Sequence, residues 1–258
     1  MRNRLLGSIL MVAAVLAIAP DMLAQTAAQP GAATARAAAS KPDLSGVWAW
    51  ALKGDSGGRR RFNMEEPPLQ PGAMQIYKTN RAGVRDPDGS GLDDLDPWSY
   101  CFPPGMVRGM LGSTSPFEII QLPNRLVILD EMSNSNRQIF LDGRGHPDGW
   151  PFGWMGHSTG SWDGDMLVVD TVGLNEKTWM DHAGTPHSNA LHVVERFRRL
   201  DQNTLQIDFQ FDDPKAFTKP WGAKRLYKLR MDWNIVEKIL CEEFLQVGKH
   251  LEIAEPPK

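Results

Sequence analysis

The chain has 258 residues, 28 basic and 31 acidic side chains, and a net charge of −3; 41% of it is hydrophobic and 9% aromatic. With the signs nearly balanced and no dominant basic stripe, the composition argues against a nucleic-acid partner. Arg59-Arg60-Arg61 is too short for one and reads as a solvated loop.

The first segment reads as separate from the fold. Met1-Arg2-Asn3-Arg4 is a short positive start, Leu5 to Ala19 is an apolar run, and Met22-Leu23-Ala24 ends it on a small residue. That order predicts a signal peptide over residues 1–24, cleaved near Ala24. The apolar run falls short of the roughly 20 residues a membrane-spanning helix needs. No stable membrane anchor is therefore expected after cleavage, and the expected location is periplasmic or secreted. Removing residues 1–24 takes away Arg2, Arg4 and Asp21 and leaves a net charge of −4. Residues 25–40 are Ala-rich and aperiodic and read as a flexible tether. Residues 41–258 are expected to form a single β domain. Its two cysteines, Cys101 and Cys241, allow one intramolecular pairing. In an oxidising compartment that pairing predicts a disulfide, which would close a long loop and contribute up to roughly 5 kcal/mol in a chain-entropy treatment.

From Lys41 onward the text is strands and turns. Leu44–Trp50 reads as the first strand. Residues 53–116 are rich in Pro, Gly and Asp and carry few periodic apolar positions, so they read as a long connection that crosses the surface or covers one end of the fold. Residues 118–122 and 125–130 form a hairpin around Pro123-Asn124, and residues 137–141 a further strand. Residues 158–162 and 165–172 form a hairpin on the Asp163-Gly164 turn. Residues 190–199, 204–211, 223–231 and 235–243 complete the series. In residues 204–211, Leu205, Ile207, Phe209 and Phe211 share one face while Gln206, Asp208 and Gln210 take the other, the period of a sheet with one wet face. No segment carries a convincing helical stripe of 12 or more residues. The expected fold is all-β, an antiparallel meander closed as a lipocalin-like barrel, with a β-sandwich as the alternative.

Chemistry concentrates in residues 154–195, which hold Trp154, His157, Asp170, Trp179, Asp181, His182, His187, His192 and Glu195. Glu195 shares a face with Leu191, Val193 and Phe197. If that face is interior, burial raises the carboxylate pKa and makes a general acid or base, unless Arg137 or Arg225 pairs with it. His187 and His182 lie in a Gly- and Pro-marked loop where an imidazole can act on a ligand. The catalytic candidates are therefore Glu195, His187, Asp181 and His157. Trp154, Trp179, His182 and His192 are the candidate substrate-binding residues, with aromatic walls suited to an apolar or aromatic molecule. His187, His192 and Glu195 are ligand types for zinc or iron. In a regular strand, however, His192 and Glu195 point to opposite faces, so no metal is assigned. Gly156-His157-Ser158-Thr159-Gly160 matches the G-x-S-x-G pattern, but a hairpin follows it where a nucleophile elbow needs a helix.

Pro42-Asp43-Leu44-Ser45-Gly46-Val47-Trp48, Gly156-His157-Ser158, residues 167–171, Val194-Glu195-Arg196-Phe197 and residues 213–221 together resemble a secreted bacterial family to which no activity attaches. The resemblance spans residues 42–245 and implies export and one β domain. The expected function is binding of a small apolar or aromatic molecule, with lyase, isomerase or hydrolase chemistry by His and carboxylate that needs no cofactor. A non-catalytic carrier, a metal-dependent enzyme and a structural envelope protein are the alternatives.

Overall fold

The computed structural model describes residues 41–51, 67–82, 95–112, 115–132 and 135–236. The expected signal peptide, the tether, Cys241 and all but the first two residues of the expected strand over 235–243 lie outside these. Ile235 and Val236 are not in a strand. No free cysteine occurs among the described residues, and the pairing expected for Cys101 depends on Cys241.

Nine strands close into a barrel in sequence order: β1 Gly46–Trp50, β2 Phe117–Leu122, β3 Arg125–Asp130, β4 Ser135–Phe140, β5 His157–Asp163, β6 Met166–Val172, β7 His192–Asp201, β8 Thr204–Asp212 and β9 Trp221–Leu229. The barrel expectation holds. Pro123-Asn124 joins β2 to β3 as expected, while the β5–β6 hairpin turns one residue later than expected, on Gly164-Asp165, with Asp163 paired to Met166 and Gly164 at φ 62°. β1 closes the ring by pairing with both β2 and β9.

The expectation of an all-antiparallel meander needs correction at one seam. β4 and β5 run parallel, with Ile139 opposite Ser158 and Phe140 opposite Thr159. A hairpin cannot join parallel neighbours, because the chain must first travel back along the strand. Residues 141–156 make that return, tied at Gly153, whose N–H donates to Gly173 O at 2.9 Å. This seam builds the candidate site.

Strand alternation fixes which side chains point inward. Phe117 and Ile119 on β2, Leu126 and Ile128 on β3, Ile139 on β4, Leu167 and Val169 on β6, Val193 and Phe197 on β7 and Leu205 to Phe211 at alternate positions on β8 are all buried. They fill the barrel as a packed core.

Among the described residues, two short α-helices lie in the long connection of residues 53–116. α1 spans Pro71–Ala82 and α2 spans Gly105–Leu111. α1 buries only Ala73 and Tyr77, spaced i, i+4, so its apolar stripe is too narrow to read in the sequence. All seven residues of α2 are buried. Its last carbonyls, normally orphaned, are satisfied from β9: Arg225 Nε donates to Leu111 O at 3.0 Å, and the Tyr227 hydroxyl donates to Met110 O. Gly109 lies so close to Asp130 that a Cβ there would stand 2.7 Å from Oδ2. α2 thus packs on inward-facing residues of β3 and β9 and closes that end of the barrel. Among the described residues, no helix is long and apolar enough to cross a membrane.

Candidate functional site

The alternation that sends Thr171, Val193 and Ser158 inward sends their neighbours outward. Asp170 on β6, His192 on β7, and His157 on β5 share the outer face, beside Phe140 at the end of β4. The return segment 141–156 crosses this face and lays His146 and Trp150 on His157.

The result is a continuous chain of hydrogen bonds. His192 Nε2 meets Asp170 Oδ2 at 2.9 Å, Asp170 Oδ1 meets His146 Nε2 at 2.9 Å, and His146 Nδ1 meets His157 Nδ1 at 2.8 Å. A carboxylate only accepts, so both Nε2 atoms carry protons toward Asp170. With neutral rings, His146 Nδ1 is then bare and His157 Nδ1–H donates to it. This leaves His157 Nε2 as a free basic nitrogen.

His157 is 3% exposed. It stacks on Phe140 at 5.3 Å between ring centroids and meets the edge of Trp150 at 4.6 Å. Burial, and then the neighbouring His146 and Arg144, hold its pKa below the ordinary histidine value. It lines an open cleft of about 650 Å³ formed with Phe140, Asp142, Arg144, Pro147 and Trp150, where Gly143 and Gly145 leave the rim uncrowded. Arg144 lies over the Phe140 ring at 4.0 Å and pairs with Asp142, its Nε donating to Oδ1 at 2.8 Å. That pair holds the Asp142 carboxyl down at about 2.

The four residues proposed as catalytic do not converge. Glu195 does face inward, where it is fully buried and paired with Arg137, whose Nη1 donates to Oε1 at 2.9 Å while Nη2 contacts Oε2. Arg137 also donates to the Ser158 and Thr171 hydroxyls, at 3.0 and 2.8 Å. Glu195 and His157 therefore stand on opposite sides of the barrel wall. The elbow-like Ser158 is inside with Glu195, 1% exposed, and no helix follows it.

Asp181 organises its own loop, accepting from Ala183 N at 2.9 Å, Thr185 N at 3.0 Å and Thr185 Oγ1 at 2.8 Å. Burial nonetheless raises its pKa to about 6. His187 sits between the Thr178 hydroxyl, 2.8 Å from Nε2, and Ser188 O, 3.1 Å from Nδ1; burial lowers its pKa. His182 Nδ1 accepts from Arg108 Nη2 at 3.0 Å, and Arg108 in turn holds Asp96.

Of the proposed binding residues, Trp179 is buried in this loop. Trp154 packs on Phe102 at 5.7 Å, and its carbonyl accepts from Met106 N of α2. Only His192 joins His157, through Asp170 and His146. His146 escaped the sequence reading because it lies outside the His-rich stretch, in a loop whose path depends on the parallel seam. The opposite facing of His192 and Glu195 is as the strand period requires. Among the described residues, no three His, Cys, Asp or Glu are arranged to hold a metal ion.

Compared with known proteins, the chain matches no family model and no curated sequence.

Proposed function

We propose that this is an exported β-barrel protein that binds a small aromatic or apolar molecule in the outer cleft and moves a proton to and from it through His157. The observation that carries this reading is the hydrogen-bonded chain from His192 through Asp170 and His146, which ends on His157 in the cleft wall.

In the forward step, His157 Nε2 accepts a proton from an acidic C–H or O–H of the ligand. Its Nδ1 proton passes to His146 Nδ1. The resulting imidazolium stays hydrogen-bonded to the Asp170 carboxylate, which stabilises it. Reversal returns the proton to the same atom, to a second atom in an isomerisation, or to a leaving group in an elimination. His192 holds the other Asp170 oxygen and so fixes the carboxylate.

The pH sign follows from His157. Because its pKa lies below the usual 6.5, the neutral, proton-accepting form persists to lower pH than an exposed histidine would allow. Activity as a base is expected to be flat above pH 6.5 and to fall on the acid side.

The test is deuterium incorporation from D2O into phenylacetone and related aromatic ketones, followed by NMR for wild type, His157→Gln and Asp170→Asn. Exchange above the buffer rate is expected in wild type, abolished by His157→Gln and reduced roughly 10²-fold or more by Asp170→Asn, the scale of general-base catalysis. Saturable binding of these compounds with no exchange would make the protein a carrier.

A further inference from the structure

We infer that the cleft selects an anion: a small planar aromatic carboxylate, bound end-on by Arg144. The inference rests on the cleft being the binding site and adds the ligand class.

Arg144 uses only part of its guanidinium on Asp142. Nε donates to Oδ1 and Oδ2, at 2.8 and 3.0 Å, and Nη2 donates to Oδ2 at 2.5 Å. Nη1 takes no partner among the described residues, and neither does the second Nη2 proton. These make the end-on edge of the fork, two parallel N–H groups, the geometry that receives a carboxylate in bidentate fashion.

Asp142 does not offer the converse site. Both of its oxygens are turned onto the Arg144 side chain and accept from it.

The walls supply the rest. Arg144 is stacked over Phe140, Phe140 is stacked on His157, and Trp150 meets the imidazole edge-on. Phe140, Trp150, Arg144 and His157 all line the cleft, so the guanidinium and the imidazole stand on one aromatic wall. The Arg144 side chain is 47% exposed, so a ligand can reach the guanidinium.

The experiment is calorimetric titration with 2-naphthoate and its neutral isostere 2-naphthamide, on wild type, Arg144→Met and Arg144→Lys, with circular dichroism confirming the fold of each variant. Saturable binding of naphthoate is expected to be roughly tenfold or more tighter than that of the amide. That preference should vanish in Arg144→Met and be only partly restored by Arg144→Lys, which cannot pair with both oxygens. Equal binding of acid and amide would overturn the anion selection while leaving the cleft as a binding site. A preference for the acid that survives Arg144→Met would overturn the assignment to Arg144. Binding of neither probe would overturn this inference, and deuterium exchange into the neutral ketones would then show whether the cleft reading survives it.

Discussion

Asp181 and the Arg137–Glu195 pair show how burial decides what a carboxylate does. Asp181 is destabilised by its position: burial lifts its pKa from 3.8 to about 6 despite three donors. A raised carboxyl pKa contributes stability that is complete below 3.8 and lost as the pH rises through about 6. At about 1.4 kcal/mol per pH unit, the cost reaches roughly 3 kcal/mol at neutral pH. Asp181→Asn keeps the acceptor for Ala183 and Thr185 and removes the ionisation. Its unfolding free energy relative to wild type should improve by up to roughly 3 kcal/mol between pH 4 and pH 7, as measured by urea denaturation at both. An unchanged difference would mean that Asp181 does not ionise as its burial implies. The lowered values of His157 and His187 act in the other direction, giving stability that is present above pH 6.5 and lost as the pH falls through their native values. Glu195 is buried but fully paired. Arg137→Met should cost roughly 3–5 kcal/mol, because it strands a buried carboxylate. Adding Glu195→Leu should recover most of that loss in chemical denaturation. A double variant as unstable as the single one would show that the four-group polar cluster, and not the lone charge, carries the cost.

Among the elements, the parallel β4–β5 seam matters most. Without the return segment, His157 would be an outward-facing side chain on a wet surface; with it, His146 and Trp150 cover the ring and build the cleft. The end of that segment is sterically fixed. Gly156 has φ 62°, and a Cβ there would stand 2.5 Å from the Val172 carbonyl oxygen. Gly156→Ala must therefore push β5 off β6 at the residue before His157. A loss of about 1–3 kcal/mol is expected in thermal unfolding, on the scale of overpacking, together with a shifted His157 ring signal in NMR. A variant with wild-type stability and an unmoved His157 signal would show that the strand ends yield without cost. At the closed end, α2 depends on β9 to satisfy its terminal carbonyls, so helix and barrel are expected to unfold together.

For the whole molecule, export and oxidation belong together. Protein recovered from the producing cell's periplasm or medium is expected to begin at Gln25 and, by intact mass under non-reducing conditions, to lack the two thiol hydrogens of Cys101 and Cys241. A full-length or reduced mass would remove the respective expectation. The nine strands were legible in the sequence, beside a tenth read over 235–243, because turn signals bound them and several carry a two-residue period, as in Leu205, Ile207, Phe209 and Phe211 between Asn203 and Asp213. The inward facing of Glu195 and the outward facing of His192 followed from the same local period. α1 was not legible, because Ala73 and Tyr77 alone do not make a stripe, and α2 was not, because a seven-residue helix buried on every side has no polar face to set a period. The site was half legible. His157, Asp170 and His192 could be named as residue types that do chemistry. Their union through His146 depends on the direction of β5 relative to β4, and no local pattern encodes that direction. By itself the sequence determined where most strands lie and, where apolar and polar residues alternate, which face is apolar, since both are properties of adjacent residues. Only the tertiary structure decided that β5 runs parallel to β4, because strand pairing is a contest between distant segments. That pairing routes residues 141–156 over the outer wall and brings His146 to His157.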